Sequence, residues 1–232
     1  IDQVVADCYI ANPLDAVEVT DGTDTYLVVS GAEVVMIYGK PSWWAYIGGN
    51  TSPLGYLSWY ADKLYAVSTD GKTLYASAAN DIDGTWTSSS LTGNFGTVYG
   101  LFTGKIIGET TTSTLYMHCN AETPLWAIDA VNSKAYPQEM SSIPHTYNGK
   151  AAMYWNANIW LTTGAGITKV GASGAIDVGP DQDDGLPSGY QGYVSDITHR
   201  GRWLVYCVNG GSTDRSSIFK RNSSYGGNLQ VY

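Results

Sequence analysis

The chain is poor in charge. Asp, Glu, Lys and Arg make up 14% of its 232 residues, against roughly 25% in an average soluble domain. Long charge-laced helices are therefore excluded, and no amphipathic stretch with a 3.6-residue period appears. No apolar run approaches the ~18 residues of a membrane-spanning helix. Cysteine is sparse: Cys8, Cys119 and Cys207 have no CxxC spacing, which excludes zinc ribbons and redox motifs. Buried free thiols are the expectation, and a Cys8–Cys207 bridge joining the two ends stays open. The three histidines, His118, His145 and His199, are scattered, so no metal is expected. No GxGxxG, Walker-type loop or Gly-x-Ser-x-Gly elbow occurs, so no cofactor is expected either.

The missing charge is replaced by Gly (27), Tyr (18) and Trp (8), with many Ser and Thr. These residues suit short strands and tight turns. Net charge is −9, which disfavours nucleic acid as a partner. The charge is uneven. All four arginines lie late, at 200, 202, 215 and 221. Ordinary solvated strand surface accounts for this, and an acidic-to-basic contact between subunits is the alternative. Ile1 stands first and no signal-type segment precedes it. The expectation is a chain processed at its N-terminus or excerpted from a longer polypeptide, extracellular or virion-associated.

One phrase recurs along the chain: strand, Gly- or Asp-bearing turn, strand with an aromatic, turn, strand. Copies occupy roughly 12–47, 53–90, 95–130, 145–180 and 188–232. Second-strand anchors read as Leu27, Leu64, Ile106, Ile159 and Trp203, at intervals of 37, 42, 53 and 44 residues. The widest interval holds Asn132–Pro144, read as an insertion. Four-stranded blades need about 40–50 residues each. Strands such as Lys63–Ser68 carry apolar groups on both faces, as sheets covered on both sides do. The expected fold is all-β, a single β-propeller of about five four-stranded antiparallel blades. A β-sandwich or jelly roll is the alternative. Residues 1–11, through Val4–Ile10, are candidates for closing the ring.

Ser68-Thr69-Asp70-Gly71-Lys72-Thr73-Leu74 resembles the Asp-box hairpin of sialidase-type propellers, one residue short and with Leu74 in place of Trp. Asn80-Asp81-Ile82-Asp83-Gly84-Thr85-Trp86 is similar to it. In that family the box is a structural turn remote from the active site. The texture of Gly-rich turns with Trp or Tyr in most units also resembles lectin propellers and bacteriophage virion propellers.

Glycosidase propellers need two carboxylates flanking the scissile bond. The innermost strands offer only Glu18 and Asp196. The expectation is accordingly not an enzyme, with those two residues as the candidate catalytic acids if it is a glycosidase. Trp43, Trp44 and Tyr46 form the most suggestive aromatic cluster, suited to a sugar ring or a partner subunit. Asp181-Gln182-Asp183-Asp184-Gly185 is read as a solvated loop, with calcium as the alternative. Two functions remain open. The first is a non-enzymatic structural or binding propeller in a larger assembly, such as a bacteriophage virion or tail or a cell-surface layer, with protein subunits as partners. The second is a carbohydrate-binding or glycoside-hydrolase propeller.

Overall fold

A computed structural model describes residues 12–20, 22–31, 35–38, 44–46, 55–82, 84–105, 113–138, 140, 147–163, 166–179, 192–210, 216–222 and 230–231. For 35–38, 44–46 and 230–231 only the backbone is described. Among these residues, twenty strands form five four-stranded antiparallel meanders. The first sheet is β1 (Pro13–Thr20), β2 (Thr25–Gly31), β3 (Val35–Tyr38) and β4 (Trp44–Tyr46). The second is β5 (Tyr56–Tyr60), β6 (Lys63–Val67), β7 (Thr73–Ala76) and β8 (Thr87–Ser90). The third is β9 (Thr97–Gly104), β10 (Thr114–Asn120), β11 (Leu125–Asp129) and β12 (Lys134–Pro137). The fourth is β13 (Asn148–Trp155), β14 (Asn158–Thr163), β15 (Ile167–Gly171) and β16 (Gly174–Asp177). The fifth is β17 (Tyr193–Arg200), β18 (Trp203–Asn209), β19 (Ser217–Asn222) and β20 (Gln230–Val231).

Turn chemistry sets these registers. Tyr60 pairs with Lys63 and Trp155 with Asn158, leaving two-residue turns at Ala61-Asp62 and Asn156-Ala157. All four turn residues have positive φ, between 48° and 59°. That is the mirror-image turn whose twist matches the flanking strands. The Asp-box-like segment is a turn too, joining β6 to β7. Asp70 accepts hydrogen bonds from the Ser68 hydroxyl (2.6 Å) and the Lys72 amide (3.0 Å). Ser68 Oγ in turn accepts from the Thr73 amide (2.9 Å).

Consecutive sheets pack face to face, with β1, β5, β9, β13 and β17 in contact in that order at the centre. Apolar clusters fill the joints. Val19, Tyr26 and Val28 meet Leu57, Leu64 and Ala66 between sheets one and two. Tyr65, Val67 and Leu74 meet Phe95, Val98 and Met117 between two and three. Tyr116 and Leu125 meet Ile159 and Leu161 between three and four. Trp160 and Ile167 meet Leu204, Tyr206 and Phe219 between four and five. This layered order around shared first strands is the propeller arrangement; a two-sheet sandwich is not formed. Among the described residues there are four such joints, and β17 shares at most marginal contact with β1.

Two expectations change. The third meander extends to Pro137: Lys134–Pro137 is its fourth strand, pairing with Trp126–Asp129, inside the segment read as an insertion. Asp129 makes this hairpin by accepting from the amides of Val131 (3.1 Å) and Asn132 (3.0 Å). The second strand of that meander is Thr114–Asn120 and not a strand anchored at Ile106, because β9 runs on through Gly104. Cys119 and Cys207 are free thiols, as expected, with Cys119 buried and Cys207 partly exposed, and Cys8 lies outside the described residues. Val4–Ile10 lie outside the described residues, and the place beside β19 is held by β20.

Candidate functional site: an aromatic mouth and an adjoining cleft

Four first strands begin on a glycine that nothing larger could replace. A Cβ on Gly55, Gly96, Gly149 or Gly192 would be driven into the carbonyl oxygen of Val67, Asn120, Cys119 or Asn209 respectively. Three of these contacts hold a first strand close against the second strand of its own sheet, and the Gly149–Cys119 approach draws the fourth sheet against the third. The side chains that follow lie at one end of the packed first strands. Ser30 ties the first sheet to this end by donating to the Gly55 carbonyl (2.6 Å).

The gathered side chains form an arc. Asp15 of β1 accepts from the amides of Leu57 (2.9 Å) and Ala16 (2.8 Å). Burial raises its carboxyl above the usual range in spite of those two bonds. Tyr56 follows on β5, its phenol raised by burial and then by the neighbouring Asp15 and Tyr99. Tyr99 on β9 lies under the Lys150 ammonium of β13, 4.3 Å from the ring centroid, a cation–π contact. Tyr147, just before β13, stacks on Tyr193 of β17 with centroids 5.5 Å apart and planes 12° from parallel. Asn209, the cross-strand partner of Tyr193, donates to the Tyr147 hydroxyl (2.9 Å). All five sheets thus contribute to one mouth. Lys150 and Tyr193 are exposed there, and Tyr56, Tyr99 and Tyr147 are half-buried.

Beside the Tyr147–Tyr193 pair is a cleft of about 660 Å³ on the outward face of the fifth sheet. Ser195, Cys207, Asn209, Ser216, Ser217 and Ile218 line it. Its position follows from strand alternation. Leu204, Tyr206 and Val208 of β18 and Phe219 of β19 face the fourth sheet, so Cys207 and Ile218 point the other way. A bulge between Val194 and Asp196 inserts Ser195 at the rim, where its hydroxyl donates to the Cys207 carbonyl (3.4 Å). The Cys207 thiol is pushed up by burial first and by the Asp196 charge second.

Of the residues singled out from sequence, Asp196 stands beside the cleft, across the ladder from Cys207. Glu18 and Asp196 do stand on first strands, and both are exposed. Their strands, β1 and β17, share at most marginal contact, so no packed pair of strands holds them together. Trp43 lies outside the described residues. Trp44 and Tyr46 sit on β4, paired in backbone register with Tyr38 and Met36. The acidic run Asp181–Gly185 is outside the described residues. Among those described, no group of three or more His, Cys, Asp or Glu side chains could hold a metal. No helix among the described residues is long and apolar enough to cross a membrane. Sequence reasoning missed the tyrosine arc, although the repeated Gly-Tyr at 55–56 and 192–193 was visible.

No family model matches the chain, and no curated protein matches it in sequence. Solved structures do. The extracellular domain of a one-component system from B. thetaiotaomicron superposes with a TM-score of 0.63 at 13% identity, over 94% of this chain and 27% of that one. An exported protein from Bacteroides fragilis gives 0.59 at 14% identity, over 99% and 73%. Virginiamycin B lyase from Staphylococcus aureus, solved with quinupristin, gives 0.66 at 12% identity, over 98% and 71%. The chain spans about a quarter of the first of these. At such identities the likeness shows the fold alone: this chain is an all-β propeller of five four-stranded sheets.

Proposed function

We propose that this propeller is a non-enzymatic binding module that works within a larger assembly, of the kind formed by a bacteriophage virion or tail or a cell-surface layer, outside the cell or on the virion. The observation that carries this reading is the outward face of the first sheet. Tyr26 and Val28 face the second sheet, so Leu27 and Val29 face away from it. Leu27 is 44% exposed and Val29 half-buried, side by side with the exposed Glu18 and Ala16 across the β1–β2 ladder. An apolar strand centre left open on a sheet face fits a protein surface better than water. Extracellular and exported proteins among the similar structures support the same location.

Immunogold labelling of the source material tests it. Label on particles or on the envelope is the expected result, and Leu27→Asp should reduce incorporation while leaving the melting temperature unchanged. Diffuse label on soluble, monomeric protein contradicts the reading.

The second reading, carbohydrate binding, is favoured by the hydroxyl and amide groups that line the cleft and by its aromatic rim. Hydrolysis is the weaker form of it, since Glu18 and Asp196 lie on strands that barely meet. Glu18→Gln and Asp196→Asn are expected to change no activity on glycan substrates.

A further inference from the structure

We infer that the cleft on the outward face of the fifth sheet, together with the Tyr147–Tyr193 pair at its rim, is a binding site for a short neutral oligosaccharide. This rests on the carbohydrate-binding reading and stands apart from the assembly reading, which concerns the opposite end of the sheet series.

Size comes first. At about 660 Å³ the cleft falls in the middle of the roughly 300–1,000 Å³ range of small-molecule sites. Its lining comes second. None of the described lining residues carries a formal charge. Ser195, Ser216 and Ser217 offer hydroxyls that both donate and accept, and Asn209 offers an amide. A polyol is the ligand whose groups also both donate and accept. Ile218, 49% exposed, supplies an apolar wall for the carbon–hydrogen face of a sugar ring.

The rim is the third observation. Tyr193 is 40% exposed and lies on the same sheet face as Asn209, its cross-strand partner. Its ring is held by the stack on Tyr147, and Tyr147 is held by the bond from Asn209. Steadied on one face by Tyr147 and 40% exposed, the ring presents a stacking platform at little entropic cost. One residue, Asn209, therefore belongs to the cleft and also braces the platform.

Electrostatics narrows the class. Asp196 lies close enough to raise the Cys207 thiol, so an anionic sugar or a phosphate would meet a carboxylate. Lys220, on the same face of β19, is engaged over the Trp203 ring at 5.2 Å, and Lys150 is engaged over Tyr99. An extended peptide is disfavoured because the cleft is a sheet face, and the edge of β19 is already paired with β20.

The test uses the whole chain and neutral malto-, cello-, xylo- and chito-oligosaccharides of two to six units, with sialylated and sulfated glycans beside them, by calorimetry and saturation-transfer NMR. At least one neutral series should bind. Tyr193→Ala should weaken it about tenfold, and Tyr193→Phe should stay within about twofold, because the face and not the hydroxyl is used. Ile218→Trp, which fills the cleft from an exposed position, should abolish binding without unfolding the chain. Bound sugar should also slow maleimide labelling of Cys207. Binding of charged glycans alone, no binding by the folded chain, or binding unaffected by Ile218→Trp and Tyr193→Ala would each overturn the inference. None of these failures touches the Leu27 face, so the assembly reading is judged separately.

Discussion

The imidazole of His118, on β10, stands 2.7 Å from the carbonyl oxygen of Gly149, on β13. A carbonyl can only accept, so Nδ1 carries the proton and donates. The bond crosses from the third sheet to the fourth, and the ring is 7% exposed. Burial holds the imidazole neutral, with its pKa lowered from 6.5 to about 4, the Gly149 bond opposing that shift only in part.

Acid should therefore loosen this joint. The unfolded chain takes up the His118 proton near pH 6.5, and the folded chain only near pH 4. The contribution of His118 is constant above pH 6.5, is lost as pH falls through that window, and levels off below about 4. The loss is on the order of 3 kcal/mol. Urea melts at pH 7, 5.5 and 4 measure it, and a His118→Gln chain should show a shallower decline over the same interval.

Gly100 lies under the same ring. A Cβ there would run into His118 Nε2, so Gly100→Ala should cost about 1–3 kcal/mol by overpacking. Adding His118→Ala should recover part of that loss. Equal and additive losses in the double-mutant cycle would show that the two sites do not press on each other.

Ala157 occupies the second position of the Asn156-Ala157 turn at φ 59°. A methyl side chain is strained in that region, and Asn-Gly is the preferred pair for this turn. Ala157→Gly should raise stability by up to about 1 kcal/mol, read as a shift in the urea midpoint with an unchanged slope.

The two described thiols should differ sharply. Burial pushes the Cys119 thiol up to about 12, and the side chain is fully covered. Cys207 is partly open to the cleft. A disulfide reagent should modify Cys207 in the native chain and reach Cys119 only in denaturant. Rapid native labelling at Cys119 would mean that the joint between sheets two and three opens readily.

The repeat was legible because each meander repeats the same local chemistry. Asp70-Gly71 and Gly201 sit at turns, and the second-strand anchors Leu64 and Ile159 face a neighbouring sheet. The third meander misled because Gly104 reads as a turn residue yet ends a strand, and because Asn132-Ser133 reads as loop yet makes a tight hairpin, Ser133 at φ 54°. The mouth was harder to read for a different reason. Tyr56, Tyr99, Tyr147 and Tyr193 come from four sheets, and what brings them together is the packing of consecutive first strands on one another, with the Gly149–Cys119 backbone approach between sheets four and three. Composition shows many tyrosines, but only the packing order of first strands shows which of them meet. The cleft depends on a single bulge at Ser195, which alternation alone does not reveal.

Among the described residues the five sheets are joined four times, so two of them have a neighbour on one face. Each sheet is stabilised by the neighbours it touches, so its resistance to opening depends on how many it has. The second, third and fourth sheets have two; the first and fifth have one among the described residues. Amide exchange should then be graded along the chain, slowest in β10 and β14 and fastest in the outer strands of the terminal sheets. Whatever covers the Leu27 face would act as a fifth joint, giving the first sheet a second neighbour and leaving the fifth sheet as the end from which opening starts.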